Sequence, residues 1–242
     1  MPGTTGDPLR SVWAGWLAGY RCDMSVADHV VRTASSAGGQ VLRGATRIIT
    51  ARPAAKPLHP RGSVVAGTLR RFGATDRTGA AWLDQSGAER VVVRKSRAIG
   101  LPAPAPDIFG LAIRVSIEGG RHGDLLFAST GLGRLTRFTL TPAGSPYGRP
   151  MTTLLPYRTP AGAVLLSAVF HDATKLALAW AIRSGAWHPF AELSLHEDPV
   201  DETGMPLSFE PALNVLPGLE TYEWVRRLRE PAYAAARASR CS

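Results

Sequence analysis

The stretch "RRLREPAYAAARASR" sets Tyr233 four residues after Arg229 and four before Arg237, with Arg240 beyond. On a helix, residues four apart share a face, so Arg229, Tyr233 and Arg237 would form one stripe. Guanidinium groups beside a phenol favour its anionic form, through charge and charge-assisted hydrogen bonds. A tyrosinate of that kind suits ligation of a ferric haem iron. A buried tyrosine bonded to backbone is the alternative reading of the same residue.

Two further constellations lie upstream. In "HPRGSVVAGTL", His59 is followed by Gly62, Gly67 and Thr68 at the start of an apolar run. A histidine at a strand entrance, with glycine allowing close backbone approach, can present its ring to a flat ligand. In "VVRKS", Arg94 and Ser96 fall on one face of a strand, because side chains alternate with a period of two. A proline-rich turn then leads into "DIFGLAIRV".

The elements that would position these groups read as mostly β. After the three prolines of "ARPAAKPLHPRG", short runs follow one another between Gly and Pro: "SVVAGTLRRF", "ERVVVRKS", "FGLAIRVSI", "GDLLFAS", "RLTRFTLT", "MTTLLPYR", "AVLLSAVF", "KLALAWAIR" and "FAELSLHE". Leu176, Leu178, Trp180 and Ile182 alternate with alanines, the signature of a strand with one wide and one narrow face. Eight or nine such runs predict an antiparallel barrel or sandwich, and no phosphate loop or βα rhythm competes with it. Tyr222, Val225 and Leu228 stand at helical spacing, which predicts a C-terminal helix broken or kinked at Pro231. Residues 1–50 read as a leader and N-terminal helical arm, and 51–242 as the barrel domain. Met24 opens a plausible alternative start.

The order H-x-x-G-x-x-x-x-G-T, R-x-S, P-D-x-x-G-L-A-I-R and D-L-L resembles the core of haem-dependent catalases, in particular their small, minimal members. Their corresponding motifs read H-A-K-G, R-F-S and D-x-x-G-F-A. The ending "LSFEPALNVLPGLE" before "RLREPAYAAARASR" is similar to F-D-P-T-N-x-x-P-G-I-E before R-x-x-x-Y. The resemblance spans residues 51–242. It implies a mainly β fold with some α, a catalase-like antiparallel barrel with a C-terminal helix and an N-terminal helical arm. It also implies a haem cofactor and a small-molecule peroxide substrate, hydrogen peroxide or an organic hydroperoxide. By the same likeness Tyr233 is the iron ligand and Arg229 keeps it ionised. His59 is the base that moves a proton between the peroxide oxygens, with Ser96 supporting it. Lys56, Arg94 and Arg240 meet the haem propionates. Arms of this kind contribute to assembly in the family, so the resemblance allows a homo-oligomer.

The chain departs from the family pattern at three places. Ser129 and Thr130 stand where catalases carry an asparagine that orients peroxide. Lys95 replaces the phenylalanine of R-F-S and should face away from a haem. Only "PAGSPYGRP" occupies the place of a helical segment.

Composition bounds the remaining classes. The 242 residues carry a formal net charge of +9, with 28 Lys+Arg scattered along the chain rather than gathered in a tail. No recognition-helix, finger or RNP-type pattern appears, so specific nucleic-acid binding is not expected. Cys22 and Cys241 form no C-x-x-C pair, which fits a reducing, cytoplasmic compartment. "VWAGWLAGY" is too short to span a bilayer. Two other functions fit a basic barrel. One is a degenerate catalase-fold protein without haem that binds a small ligand or a partner. The other is a phosphodiesterase-type hydrolase, for which the sequence shows no cluster of metal ligands.

Overall fold

A computed structural model describes residues 62–98, 100, 105–199 and 208–227, with backbone alone at 197–199. Lys56, His59, Arg229, Tyr233, Arg240, the kink at Pro231 and the arm at 1–50 lie outside the described residues.

The described chain runs β1 (Gly62–Phe72), α1 (Ala81–Asp84), β2 (Ser86–Arg97), β3 (Phe109–Ser116), β4 (His122–Ser129), β5 (Pro150–Thr152), β6 (Tyr157–Thr159), β7 (Gly162–Phe170), β8 (Lys175–Ile182), β9 (His188–Pro199) and β10 (Glu220–Thr221). Eight strands close on themselves in the order β1, β2, β3, β4, β5, β7, β8, β9, every pair antiparallel. Strand β6 adds to β7 outside this ring, and β10 adds to β6. The chain therefore has the mainly β, catalase-like antiparallel barrel that the sequence predicts.

The alternation of each strand builds the core. Val93 stands opposite Ile113, and Ile113 opposite Leu125, all nearly inaccessible to solvent. Leu69, Leu193 and Leu176 make a second row, and Leu166 faces Trp180. On β8, Leu178 and Trp180 fill the interior, while Ala177, Ala179 and Ala181 are buried on the opposite face. The narrow face is thus as dry as the wide one. Burial of such side chains contributes about 25 cal/mol per Å² of apolar surface removed from water, the dominant favourable term.

One end of the barrel is stoppered by α1, whose Trp82 and Leu83 point into the core. Trp82 meets Phe190 edge-on at 5.7 Å between ring centroids. Four residues cannot hold a helix unaided. Tertiary bonds fix this one: the Asp84 carboxylate accepts from Thr78 N, Thr78 Oγ1 and Gly79 N, each at 2.8 Å. Arg71, inside the same end, ion-pairs Glu89 and donates to Trp82 O and Gln85 O.

Two predicted strands are corrected. "RLTRFTLT" is not a strand: Thr136–Phe138 is a 3-10 turn, with Gly131 and Gly133 wrapped around the Thr136 side chain. The segment inverts the usual polarity, since Arg137 is buried while Leu135 is 82% exposed. "MTTLLPYR" divides into β5 and β6, because Leu154 turns the chain with φ of 58°. At the C-terminal side, 223–227 is helical, and Val225 N and Arg226 N both donate to Tyr222 O at 3.0 Å.

Candidate functional site on the outer wall of the barrel

The outer face of β1 to β5 carries the residues that the sequence singles out. Register aligns Gly62 with Ser96, Ser96 with Gly110, Gly110 with Ala128, and Ala128 with Thr152. Five adjacent strands therefore contribute a row in which no side chain exceeds a threonine. The next row reads Val64, Arg94, Ala112 and Leu126, and the third Ala66, Val92, Arg114 and Asp124. The result is a low, smooth shelf with one guanidinium in its second row.

Gly62, the glycine three residues after His59, makes room for that guanidinium. A Cβ on Gly62 would lie 3.1 Å from both Cζ and Nε of Arg94 and 2.7 Å from Lys95 O. The glycine of the first motif and the arginine of the second thus belong to one local arrangement. Ser96 donates its hydroxyl to Gly110 O at 3.4 Å, two strands across the shelf. Lys95 sits between them on the opposite face of β2, the side of Val91 and Val93, paired with Leu111.

The two residues standing in place of the peroxide-orienting asparagine are engaged in the scaffold. Ser129 is buried; its hydroxyl accepts from Phe109 N at 3.1 Å and donates to Thr141 O at 2.8 Å. Thr130 Oγ1 lies 3.1 Å from both Gly131 O and Thr152 Oγ1. Thr152 in turn donates to Arg137 O at 2.7 Å. Neither hydroxyl is left to meet a substrate.

Other motif residues act as clamps. Asp107 of "PDIFG" accepts from Gly100 N at 2.8 Å and Ile108 N at 2.7 Å, and pairs by backbone with Ala143. Arg97 Nε stands 3.4 Å from this carboxylate without hydrogen-bond geometry, so that contact is charge proximity. Asp124 of "DLL" is 1% exposed and binds Arg114 through two bonds, at 2.8 and 2.9 Å. It also accepts from Glu210 N at 2.8 Å and Asn214 Nδ2 at 2.7 Å. Pro217 and Gly218 of "LPGLE" latch the stopper: Trp82 N donates to Pro217 O at 3.1 Å. Gly218, at φ of 82°, approaches so close that a Cβ would be 2.5 Å from Ala80 Cα.

Sequence reading missed Arg137. Its guanidinium donates to the carbonyls of Leu132, Gly133 and Arg183 at 3.0 to 3.1 Å and lies 4.5 Å from the Trp187 ring centroid. Burial, and then the charge of Arg134, push its pKa below the ordinary arginine value. No pattern of hydropathy marks an arginine as buried; the paired glycines before it were the available signal.

No group of three or more His, Cys, Asp or Glu suited to a metal ion occurs among the described residues. Among them, too, no helix is long and apolar enough to cross a membrane. No protein-family model matches the chain, and no curated protein matches it in sequence. Among solved structures, a fungal catalase is similar, with a TM-score of 0.50 and 12% identity over 76% of this chain. The fold is that of a catalase-type barrel. The chain spans 58% of the length of that catalase. At this identity the likeness concerns the barrel alone.

Proposed function

We propose that this catalase-type barrel is a haem protein acting on hydrogen peroxide or an organic hydroperoxide. The observation that carries the reading is the row Gly62, Ser96, Gly110, Ala128 and Thr152, with Arg94 set against Gly62 beside it. A flat, dianionic group fits that arrangement: small side chains admit a planar face, and a guanidinium favours a carboxylate at its edge.

Haem would supply the redox chemistry of O–O cleavage, and the chain would supply binding, orientation and proton movement. In this reading Tyr233 is the anionic iron ligand, and Arg229 holds the phenol ionised. Lys56, Arg94 and Arg240 bind the two propionates. His59 takes a proton from one peroxide oxygen and returns it to the other, and Ser96 orients the imidazole. The reducing compartment suggested by the cysteines makes the cytoplasm the proposed location.

A second reading is favoured by the engagement of Ser129 and Thr130. With no side chain there to orient peroxide, disproportionation is the weakest of the expected activities. A barrel without cofactor, binding a small ligand or a partner, would then remain.

The absorption spectrum of protein produced with a haem supply separates the two, wild type beside Tyr233→Phe. A Soret band that shifts or vanishes in the variant supports tyrosinate ligation. Absence of the band, even after addition of haemin, eliminates the haem reading.

A further inference from the structure

Asp124 concentrates more polar contact than any other carboxylate on the outer wall described above. Its Oδ1 accepts from Arg114 Nε, and its Oδ2 from Arg114 Nη2, Glu210 N and Asn214 Nδ2. Its own backbone N donates to Asn214 O at 2.9 Å. Arg114 also donates to Ser208 O and stacks 5.0 Å from the Phe209 ring centroid. Every one of these contacts ties residues 208–214 to β3 and β4. A buried ion pair gains little net stability over apolar packing, but its bonds are directional. Its yield here is position.

Two more anchors continue the path. Pro217 O accepts from Trp82 N, and Gly218 sits against Ala80. Glu220 then pairs with Arg158, and β10 with β6. Residues 208–221 form a strap held at three separate parts of the barrel, and it delivers the chain to the helical segment at 223–227.

We propose that Asp124 is a positioning residue for the haem site: through Asn214 and the strap it sets where the chain bearing Tyr233 begins its approach. This inference rests on the haem reading above. Asp124 touches neither substrate nor cofactor in it; it acts through the strap.

The test uses the full chain and the variant Asn214→Ala, which removes one strap donor and leaves the Arg114–Asp124 pair intact. Asp124→Asn is the harsher companion, and the thermal midpoint of each verifies folding. Hydrogen exchange of the haem-free protein is read by mass spectrometry. In Asn214→Ala, peptides over 208–221 should exchange roughly tenfold faster, with β7 and β8 unchanged. After haemin loading, the Soret and long-wavelength bands should shift in the same variant at an unchanged barrel midpoint. A loosened strap with an unaltered spectrum overturns the proposal, because Asp124 would then be structural only. An altered spectrum with an unloosened strap overturns it too. A wild type that shows no haem band overturns the haem reading itself, and the exchange data then show separately whether Asp124 holds the strap.

Discussion

The guanidinium of Arg94 passes across Gly62, with no room for a methyl group between them: an added Cβ would meet Arg94 at 3.1 Å and Lys95 O at 2.7 Å. A flexible side chain can yield, but the β2 carbonyl cannot. Gly62→Ala should therefore push β1 from β2 at its start and displace Arg94, costing ~1–3 kcal/mol. Thermal denaturation measures the first effect, and a weakened haemin titration the second.

Ser129→Ala removes a hydroxyl that bridges Phe109 N and Thr141 O. The expected cost is ~1–3 kcal/mol of stability, because both partners are left short of a bond in a buried place. The haem spectrum and peroxide consumption should not change once the protein is folded. A variant of full stability with altered peroxide consumption would contradict the placement of this residue in the scaffold.

Arg137→Met leaves three carbonyls without their donor and removes the cation from the Trp187 face. Loss of ~3 kcal/mol is expected. Arg137→Lys should recover little of it, since an ammonium cannot reach three carbonyls spread along a planar fork. Chemical denaturation of the two variants decides the point.

Gly218→Ala meets two obstacles at once, a φ of 82° and the Ala80 backbone at 2.5 Å. The latch on α1 should open, at a cost of at least ~1 kcal/mol from the backbone alone. Increased hydrogen exchange at Trp82 and Leu83, with β3 and β4 unaffected, would be the local signature.

The exposed turn at 172–175 carries the clearest pH dependence. The Asp172 carboxylate accepts from Thr174 N, Thr174 Oγ1 and Lys175 N. The Thr174 backbone bond leads the causes that lower its pKa. A depressed folded-state pKa stabilises the turn above the ordinary aspartate value, and that contribution disappears as pH falls through the lowered one. The amide shifts of Thr174 and Lys175, followed by NMR on acidification, should move with a midpoint below the usual aspartate range. In Asp172→Asn that transition should be absent.

The barrel was legible because its strands obey the period of two: Leu176, Leu178 and Trp180 could point nowhere but inward. The failures came where local pattern and tertiary demand diverge. "RLTRFTLT" has β-favouring residues, yet the two glycines before it and the buried Arg137 turn it into a loop. The site was legible as motif order, not as contacts. That Gly62 serves Arg94, or that Asp124 reaches Asn214, depends on strand register and on a return of the chain from 90 residues away. Nothing in the spacing of those residues encodes it. Asp107 and Asp124 read as motif letters and turn out to be clamps, because a buried carboxylate must gather donors wherever the fold supplies them.

The strap has one more consequence, for how the molecule avoids its own kind. A closed ring of strands offers no edge for another chain to join, but this ring is thin where β4 meets β5 through two residue pairs only. From His122 to Phe127, β4 would present unsatisfied amides outward, and Asn214 O takes up one of them at Asp124 N. The neighbouring Gly123 lies under Leu216, so tightly that a Cβ there would be 2.5 Å from the leucine side chain. The strap is therefore a guard over a seam. A chain ending before Ser208 would bare that seam as a template for strand addition, and its characteristic fault would be self-association rather than unfolding.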